Sequence, residues 1–273
     1  MSEAAPDVSV VIVAFRARDY VLACLEALRE NAGVDYEAIV VDDGSGDGTP
    51  EAVRERFPEA VMVAKPENEG LSAGRNSSLE RIRGRHVLML DSDTKVRPGA
   101  IARLSRVLDE NPGVGLVGPR LVNPDGSVQH SCRRWPSPLI PLMRRGPYAR
   151  IDPEPRAHRW HMMMDFDFAA ERPVVAVMGA AQMWRADLPA AIGRYDERIS
   201  SYGGEDVDWC VRVWKAGLEV RYVPDAVIEH EWQHVVRRQG LSKHSLLALR
   251  DFYYLQVKHP RLRRDPRLRE ALA

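Results

Sequence analysis

The chain is poor in cysteine, in net charge and in long apolar runs, and each shortage narrows what it can be. Its three cysteines, Cys24, Cys132 and Cys210, are far apart, odd in number and without C-x-x-C spacing. That argues against both a disulfide framework and a thiolate zinc site, and a reducing, cytoplasmic compartment is the expectation. The apolar run at residues 8–15 falls far short of the ~20 residues of a membrane-spanning helix. The polar, acidic residues before it do not read as a signal peptide. The 39 basic and 39 acidic residues cancel, but only in the total. Residues 130–160 hold seven Arg against two acids, and residues 233–273 hold ten Lys or Arg against three. Such blocks either meet phosphate-rich partners, anionic lipid among them, or form solvated faces. No nucleic-acid-binding motif accompanies them, so a nucleic-acid partner is not expected.

What is present is an α/β pattern. With 273 residues, 45% hydrophobic and 29% charged, the chain suits one large domain or two small ones. Apolar runs at 8–15, 38–41, 60–63, 87–90 and 114–117 read as strands. Helices fit between them at 20–28, from Thr49 as cap to Phe57, from Ser72 as cap to Ile82, and from Pro98 to Leu108. This is the βαβ rhythm of a parallel sheet covered on both faces, which binds ligands beyond the carboxyl ends of its strands. After Pro119 the rhythm changes. Residues 121–131 read as a hairpin around Asn123, Pro124, Asp125 and Gly126. Residues 132–172, rich in Pro and Arg, read as an acceptor-side insertion, in which Trp160, Met162, Met163, Met164, Phe166 and Phe168 form either an adaptable apolar wall or ordinary packing. Strands are expected at 174–177, 182–184 and 219–223, and helices at 206–214 and 245–256.

Acidic loops fall where such a sheet places a ligand. Asp42 and Asp43, followed by Gly-Ser-Gly-Asp-Gly, can accept hydrogen bonds from a base or ribose, or can simply cap a turn. Asp91-Ser92-Asp93 follows a strand, and alternate residues of an extended segment point the same way, so both carboxylates can hold Mg²⁺ or Mn²⁺ against a diphosphate. Glu205 and Asp206 follow Gly203 and Gly204 at a helix start. Acids there either complement the helix dipole or, kept ionised, serve as a general base. His230 can supply a third ligand, one that suits Mn²⁺ better than Mg²⁺, and His234 competes for the role.

The segments Val8-Ser-Val-Val-Ile-Val-Ala-Phe, Val41-Asp-Asp-Gly-Ser, Asn68-Glu-Gly with Gly74-Arg-Asn, Asp91-Ser-Asp and Gly204-Glu-Asp-Val-Asp, in this order, resemble the family 2 glycosyltransferases over residues 8–235. The resemblance implies a GT-A fold, a Rossmann-like nucleotide-diphospho-sugar transferase architecture with a mixed, mostly parallel central sheet flanked by helices. It divides the chain into a domain at 1–235, with a donor-binding half at 8–120 and an acceptor-side half at 121–235, and a basic helical tail at 236–273. It also implies a nucleotide-sugar donor, a divalent cation and inversion by single displacement. Position by position, Val13 matches a backbone contact to the base, Asp43 the acid that reads the pyrimidine imide and Gly70 a donor-loop contact. Asp91, Ser92 and Asp93 match the diphosphate and metal motif, Asp206 the general base and Glu205 an acceptor or sugar contact. Ala14 and Phe15 stand where many relatives carry Asn-Tyr. The stretch from Gly118 to Pro138 is similar to bacterial rhamnosyltransferases that use dTDP-L-rhamnose, although these often begin the metal motif with Asn-Pro-Asp. That subgroup implies a glycan or lipid-linked acceptor and a peripheral position at the inner face of the cell membrane, with the basic tail as contact. A UDP- or GDP-sugar donor, or a binding protein without turnover, is the alternative. A nucleotidyltransferase is disfavoured because Val13-Ala-Phe-Arg-Ala lacks a glycine-rich phosphate loop.

Overall fold

The computed structural model describes residues 5–143, 152, 154–200, 204–231, 243–260, 262, 268 and 271. The chain begins with β1 (Val8–Ala14), α1 (Arg18–Asn31), β2 (Tyr36–Asp42), α2 (Thr49–Arg56), β3 (Val61–Ala64), α3 (Leu71–Ser78), β4 (His86–Asp91), β5 (Thr94–Val96), α4 (Ala100–Glu110) and β6 (Val114–Val122). There follow β7 (Cys132–Arg133), α5 (Ile140–Met143), α6 (Arg156–His161), β8 (Arg172–Pro173), β9 (Ala176–Val177), β10 (Ala181–Arg185), α7 (Leu188–Ile192), α8 (Glu205–Lys215), β11 (Glu219–His230) and α9 (Lys243–Lys258). The nine-stranded sheet runs β3-β2-β1-β4-β10-β6-β11-β5, with β8 also on β11. β1 to β4, β6 and β11 share one direction; β10, β5 and β8 run against it.

The period-2 geometry of β1 explains why its run is apolar throughout. Val8, Val10 and Ile12 join one core with Val21, Leu25 and Leu28 of α1, while Val11 joins a second with Trp184 and Trp209. A strand covered on both faces has no solvent side to leave polar. α4 turns Ile101, Leu104, Val107 and Leu108 into the first core, the stripe expected of a surface helix.

Three helix starts differ from expectation. Gly48 (φ 80°), Gly70 (φ 96°) and Gly99 (φ 79°) precede α2, α3 and α4, so Thr49 and Ser72 lie inside their helices rather than capping them, and α4 begins two residues after Pro98. Asp47 does the local capping, accepting from the N–H of Thr49 at 3.0 Å and its hydroxyl at 2.6 Å. α3 ends at Ser78 and continues as a 3₁₀ turn over Leu79–Arg81. β5 was not expected, and β11 is far longer than residues 219–223. The expected hairpin at 121–131 is present as a turn, with Val122 bridging Val128. In the insertion, Met163, Phe166 and Phe168 are buried and Met164 is exposed. The two phenylalanines pack edge-on with Tyr222, so these side chains are core rather than wall.

Candidate active site

Val13, Asp43 and Gly70 are assembled where β1 ends. Val13 lies in register between Val41 and Asp91, and α3 packs so closely on it that a Cβ at Gly74 would sit 2.5 Å from Val13 Cγ1. Asp43 is buried. Its Oδ1 accepts from Lys65 Nζ at 2.7 Å and from the Glu69 N–H, and its Oδ2 accepts from the Gly70 N–H at 2.8 Å. Asp43 therefore holds the 65–70 loop against the strand end, and Gly70, at positive φ, turns that loop into α3.

β4 ends at Asp91 and the chain turns through Ser92 and Asp93 into β5. β5 pairs with β11 so that His230 stands opposite Thr94. Asp91, Asp93 and His230 consequently offer three ligand atoms within 4.8 Å of one another, with His230 Nε2 3.5 Å from Asp93 Oδ1. Burial, then the charge of Asp91, pushes the Asp93 carboxyl up to about 7. Burial lowers the His230 ring below its ordinary range, which favours the neutral imidazole a metal requires. Two carboxylates, one of them ionising against burial and its neighbour's charge, beside a neutral imidazole form a donor set that a divalent cation fits, and the nitrogen suits Mn²⁺.

The acid pair opens α8. Asp206 Oδ2 accepts from the Gly179 N–H at 2.7 Å and Oδ1 from the Val207 N–H at 2.7 Å. Those bonds favour the carboxylate against a burial that raises its pKa. Glu205, buried beside it, is pushed up to about 7 by desolvation and then by the charge of Asp206. Arg75 binds the two acidic groups together. Itself buried, it donates to Glu205 Oε1 at 3.3 Å and to the Gly179 carbonyl at 3.1 Å, and lies 3.5 Å from Asp91 Oδ1. The loop before β10 is the other bridge, because the Ala180 carbonyl accepts from the Asp91 N–H at 2.9 Å. A Cβ on Gly179 would lie 3.0 Å from both Arg75 and Asp206.

The structure thus brings Asp91, Ser92, Asp93 and His230 together, and joins them through Arg75 and residues 179–180 to Glu205 and Asp206. Val13, Asp43 and Gly70 form the adjoining strand-end floor. Gly203 and His234 lie outside the described residues. Sequence reasoning assigned no role to Arg75 or Gly179. Arg75 stands within the Gly74-Arg-Asn segment of the resemblance, and the further signal for both was small residues, Ala73-Gly74 before the arginine and Ala180-Ala181 after the glycine, where backbones approach closely.

Solved structures with the same architecture include GalNAc-T7 with UDP, GalNAc and Mn²⁺ (TM-score 0.64, 16% identity, covering 97% of this chain and 52% of that one). Another is the mannosyltransferase PcManGT from Pyrobaculum calidifontis with GDP-Man and Mn²⁺ (TM-score 0.57, 18% identity, 95% and 72%). The fold is the GT-A fold of glycosyltransferases. Residues 9–171 match the glycosyl transferase family 2 model, and the chain belongs to that family. It is 29% identical, over 234 residues covering 81% of this chain and 75% of the relative, to an N-acetylglucosaminyl-diphospho-decaprenol L-rhamnosyltransferase of Mycobacterium tuberculosis. A chondroitin synthase of Pasteurella multocida matches at 29% over 136 residues, covering 48% of this chain and 14% of the synthase.

Proposed function

We propose that this glycosyltransferase moves L-rhamnose from dTDP-L-rhamnose onto a hydroxyl of a lipid-linked saccharide, with inversion at the anomeric carbon. The observation that carries the chemistry is the junction at Arg75, which lies 3.5 Å from Asp91 and 3.3 Å from Glu205. One side of it is suited to a diphosphate and cation, the other to an acceptor hydroxyl. The choice of sugar and acceptor class rests on the mycobacterial relative, whose name specifies an L-rhamnosyl product on a diphospho-decaprenol saccharide.

Asp91, Asp93 and His230 would hold the cation. When bound, it would supply Lewis acidity to the leaving diphosphate. Val13, Asp43 and Gly70 form the floor for the base and ribose, with Asp43 stiffening the loop while a free lone pair remains for an imide N–H. Asp206 takes the proton of the acceptor hydroxyl as its oxygen bonds to the anomeric carbon and the nucleoside diphosphate departs with the bonding electrons. The N–H groups of Gly179 and Val207 aim that carboxylate and oppose the burial that raises its pKa. Glu205, tied to Arg75, orients the sugar or acceptor.

The domain at 1–235 carries this chemistry, and the tail at 236–273 serves it at the inner face of the membrane. α9 exposes Leu246, Tyr253 and Val257, and the insertion exposes Leu139 and Met143; the Tyr253 hydroxyl lies 3.3 Å from the Pro138 carbonyl. No helix among the described residues is long and apolar enough to cross a membrane, so contact would be peripheral. The test is calorimetry with dTDP, UDP and GDP, with and without Mn²⁺ or Mg²⁺, followed by transfer from dTDP-L-rhamnose to a polyprenyl-diphosphate saccharide. Metal-dependent selectivity for dTDP and a rhamnosylated product are expected. Selectivity for UDP or GDP would overturn the donor, and no nucleotide response would overturn the enzymatic reading.

A further inference from the structure

The turn after β6 is more elaborate than a chain reversal requires. Gly126, at φ 84°, closes it, and the Asn123 N–H donates to the Ser127 carbonyl at 2.8 Å. Its side chains, however, form a chain of hydrogen bonds leading away from the turn. The Ser127 hydroxyl donates to Asp125 Oδ1 at 2.6 Å; Asn123 Nδ2 donates to Ser127 Oγ at 2.8 Å; Gln129 Nε2 donates to Asn123 Oδ1 at 2.7 Å. Gln129 Nε2 also donates to the backbone carbonyl of His230 at 2.7 Å, and its Oε1 lies 2.8 Å from His230 Nδ1.

The direction of every bond is forced. An ionised carboxylate only accepts, so the Ser127 hydroxyl must donate to Asp125, and Ser127 Oγ must then accept from the amide nitrogen of Asn123. The bonds from Ser127 hold Asp125 below its usual range, keeping that anchor ionised. The second anchor is the His230 carbonyl, which also only accepts and so demands the amide nitrogen of Gln129. Both anchors leave Gln129 Oε1 facing the ring. His230 Nδ1 must carry the proton, and Nε2 must carry the lone pair, on the side of Asp93.

We infer that the Asn123–Gln129 turn is a positioning device that fixes His230 in the Nδ1–H tautomer and so presents Nε2 as a ligand. Gln129 is the residue that acts on the ring, and Asn123, Ser127 and Asp125 orient Gln129. Gln129 and His230 are both buried, so the amide oxygen rather than bulk water is the partner of Nδ1. The inference rests on Asp91, Asp93 and His230 forming the metal site. Partners of this kind raise ligand basicity and typically change metal affinity by about 10–100-fold.

The tautomer is read directly in metal-free, full-length protein labelled with ¹⁵N-histidine, the His230 signals being assigned by their loss in His230→Gln. Long-range ¹H–¹⁵N spectra should show protonated Nδ1 in the wild type. In Gln129→Leu they should show the Nε2–H form or a mixture, with Mn²⁺ affinity, followed by electron paramagnetic resonance of free Mn²⁺ in the presence of dTDP, weakened about 10–100-fold. Asn123→Ala, which leaves the His230 carbonyl to orient the Gln129 amide, should keep the wild-type tautomer, and the wild-type spectrum alone tests the inference if the leucine variant fails to fold. Protonated Nε2 in the wild type, or unchanged tautomer and Mn²⁺ affinity in Gln129→Leu, would overturn the inference. Wild-type protein that shows the expected tautomers but takes up no Mn²⁺ would overturn the metal site and leave the tautomer assignment standing.

Discussion

Asp93 ionises against burial and against Asp91, and the sign of its pH dependence follows. With its folded pKa raised to about 7, above an unfolded value near ~3.9, its contribution to stability is fully present below the unfolded value. That contribution is lost as pH rises toward 7. A divalent ion bound there competes with the proton. We therefore expect metal-free protein to lose Tm between pH 5 and 7.5 by more than Asp93→Asn does, and Mn²⁺ to raise Tm more at pH 7.5 than at pH 5, both read by thermal melts. A Mn²⁺ shift independent of pH would remove Asp93 from the ligand set. Asp206 is tested by turnover. Asp206→Asn removes the proton acceptor while keeping the side-chain shape, and general-base catalysis contributes roughly 10²–10⁴-fold. The expected variant loses that much kcat with dTDP affinity within a few-fold of wild type. Near-normal turnover would assign the proton to another group, Glu205 first.

At the scale of elements, the seating of α3 on β1 decides whether Arg75 reaches both acidic groups. Because a Cβ on Gly74 would meet Val13 Cγ1 at 2.5 Å, Gly74→Ala must displace either the helix or the Val13 side chain, a form of overpacking that costs about 1–3 kcal/mol. Chemical denaturation should show that loss, calorimetry should show weaker nucleotide binding, and Val13→Ala in the same chain should recover part of both. If Gly74→Ala binds nucleotide normally, the close approach is not what places Arg75. The same region shows what can be read in a sequence. Strand runs buried on both faces and acids at strand ends are local patterns, so the alternation at residues 8–120 and the candidates Asp43, Asp91, Asp93, Glu205 and Asp206 were legible. Arg75 had no visible role because its partners Glu205 and Gly179 are 130 and 104 residues away. β11 looked short because Pro224 and Asp225 interrupt it, yet the strand crosses them with a register shift between Val223 and Val227. That crossing carries it on to His230 beside β5.

For the molecule as a whole, the C-terminal helix bears on the chemistry although none of its residues lies among the candidate ligands. Asp208, two residues beyond Asp206 and fully buried, accepts from Arg212 Nε at 2.8 Å and contacts Lys258 Nζ and His259 Nε2 at 2.8 Å each. Lys258 and the Tyr254 hydroxyl also reach Asp196, at 2.6 and 2.8 Å, and Asp251 accepts from the Ser200 N–H at 2.9 Å. α9 thus grips the chain on both sides of Glu205 and Asp206, and Leu255, Leu262 and Leu268 seal the contact in the core that holds Trp209. Breaking a buried ion network by removing one partner typically costs about 3–5 kcal/mol, because the remaining charges stay buried. Asp208→Ala should therefore lower stability by roughly that amount. In the fraction that remains folded, it should reduce kcat more than it weakens dTDP binding, since the nucleotide floor at Val13, Asp43 and Gly70 is held by separate contacts. A chain ending at residue 242 should show the same division between kcat and nucleotide affinity. Equal loss of both in the two variants would mean that α9 supports the whole fold without distinction, and unchanged kcat would mean that the acid pair keeps its geometry without the grip of the tail.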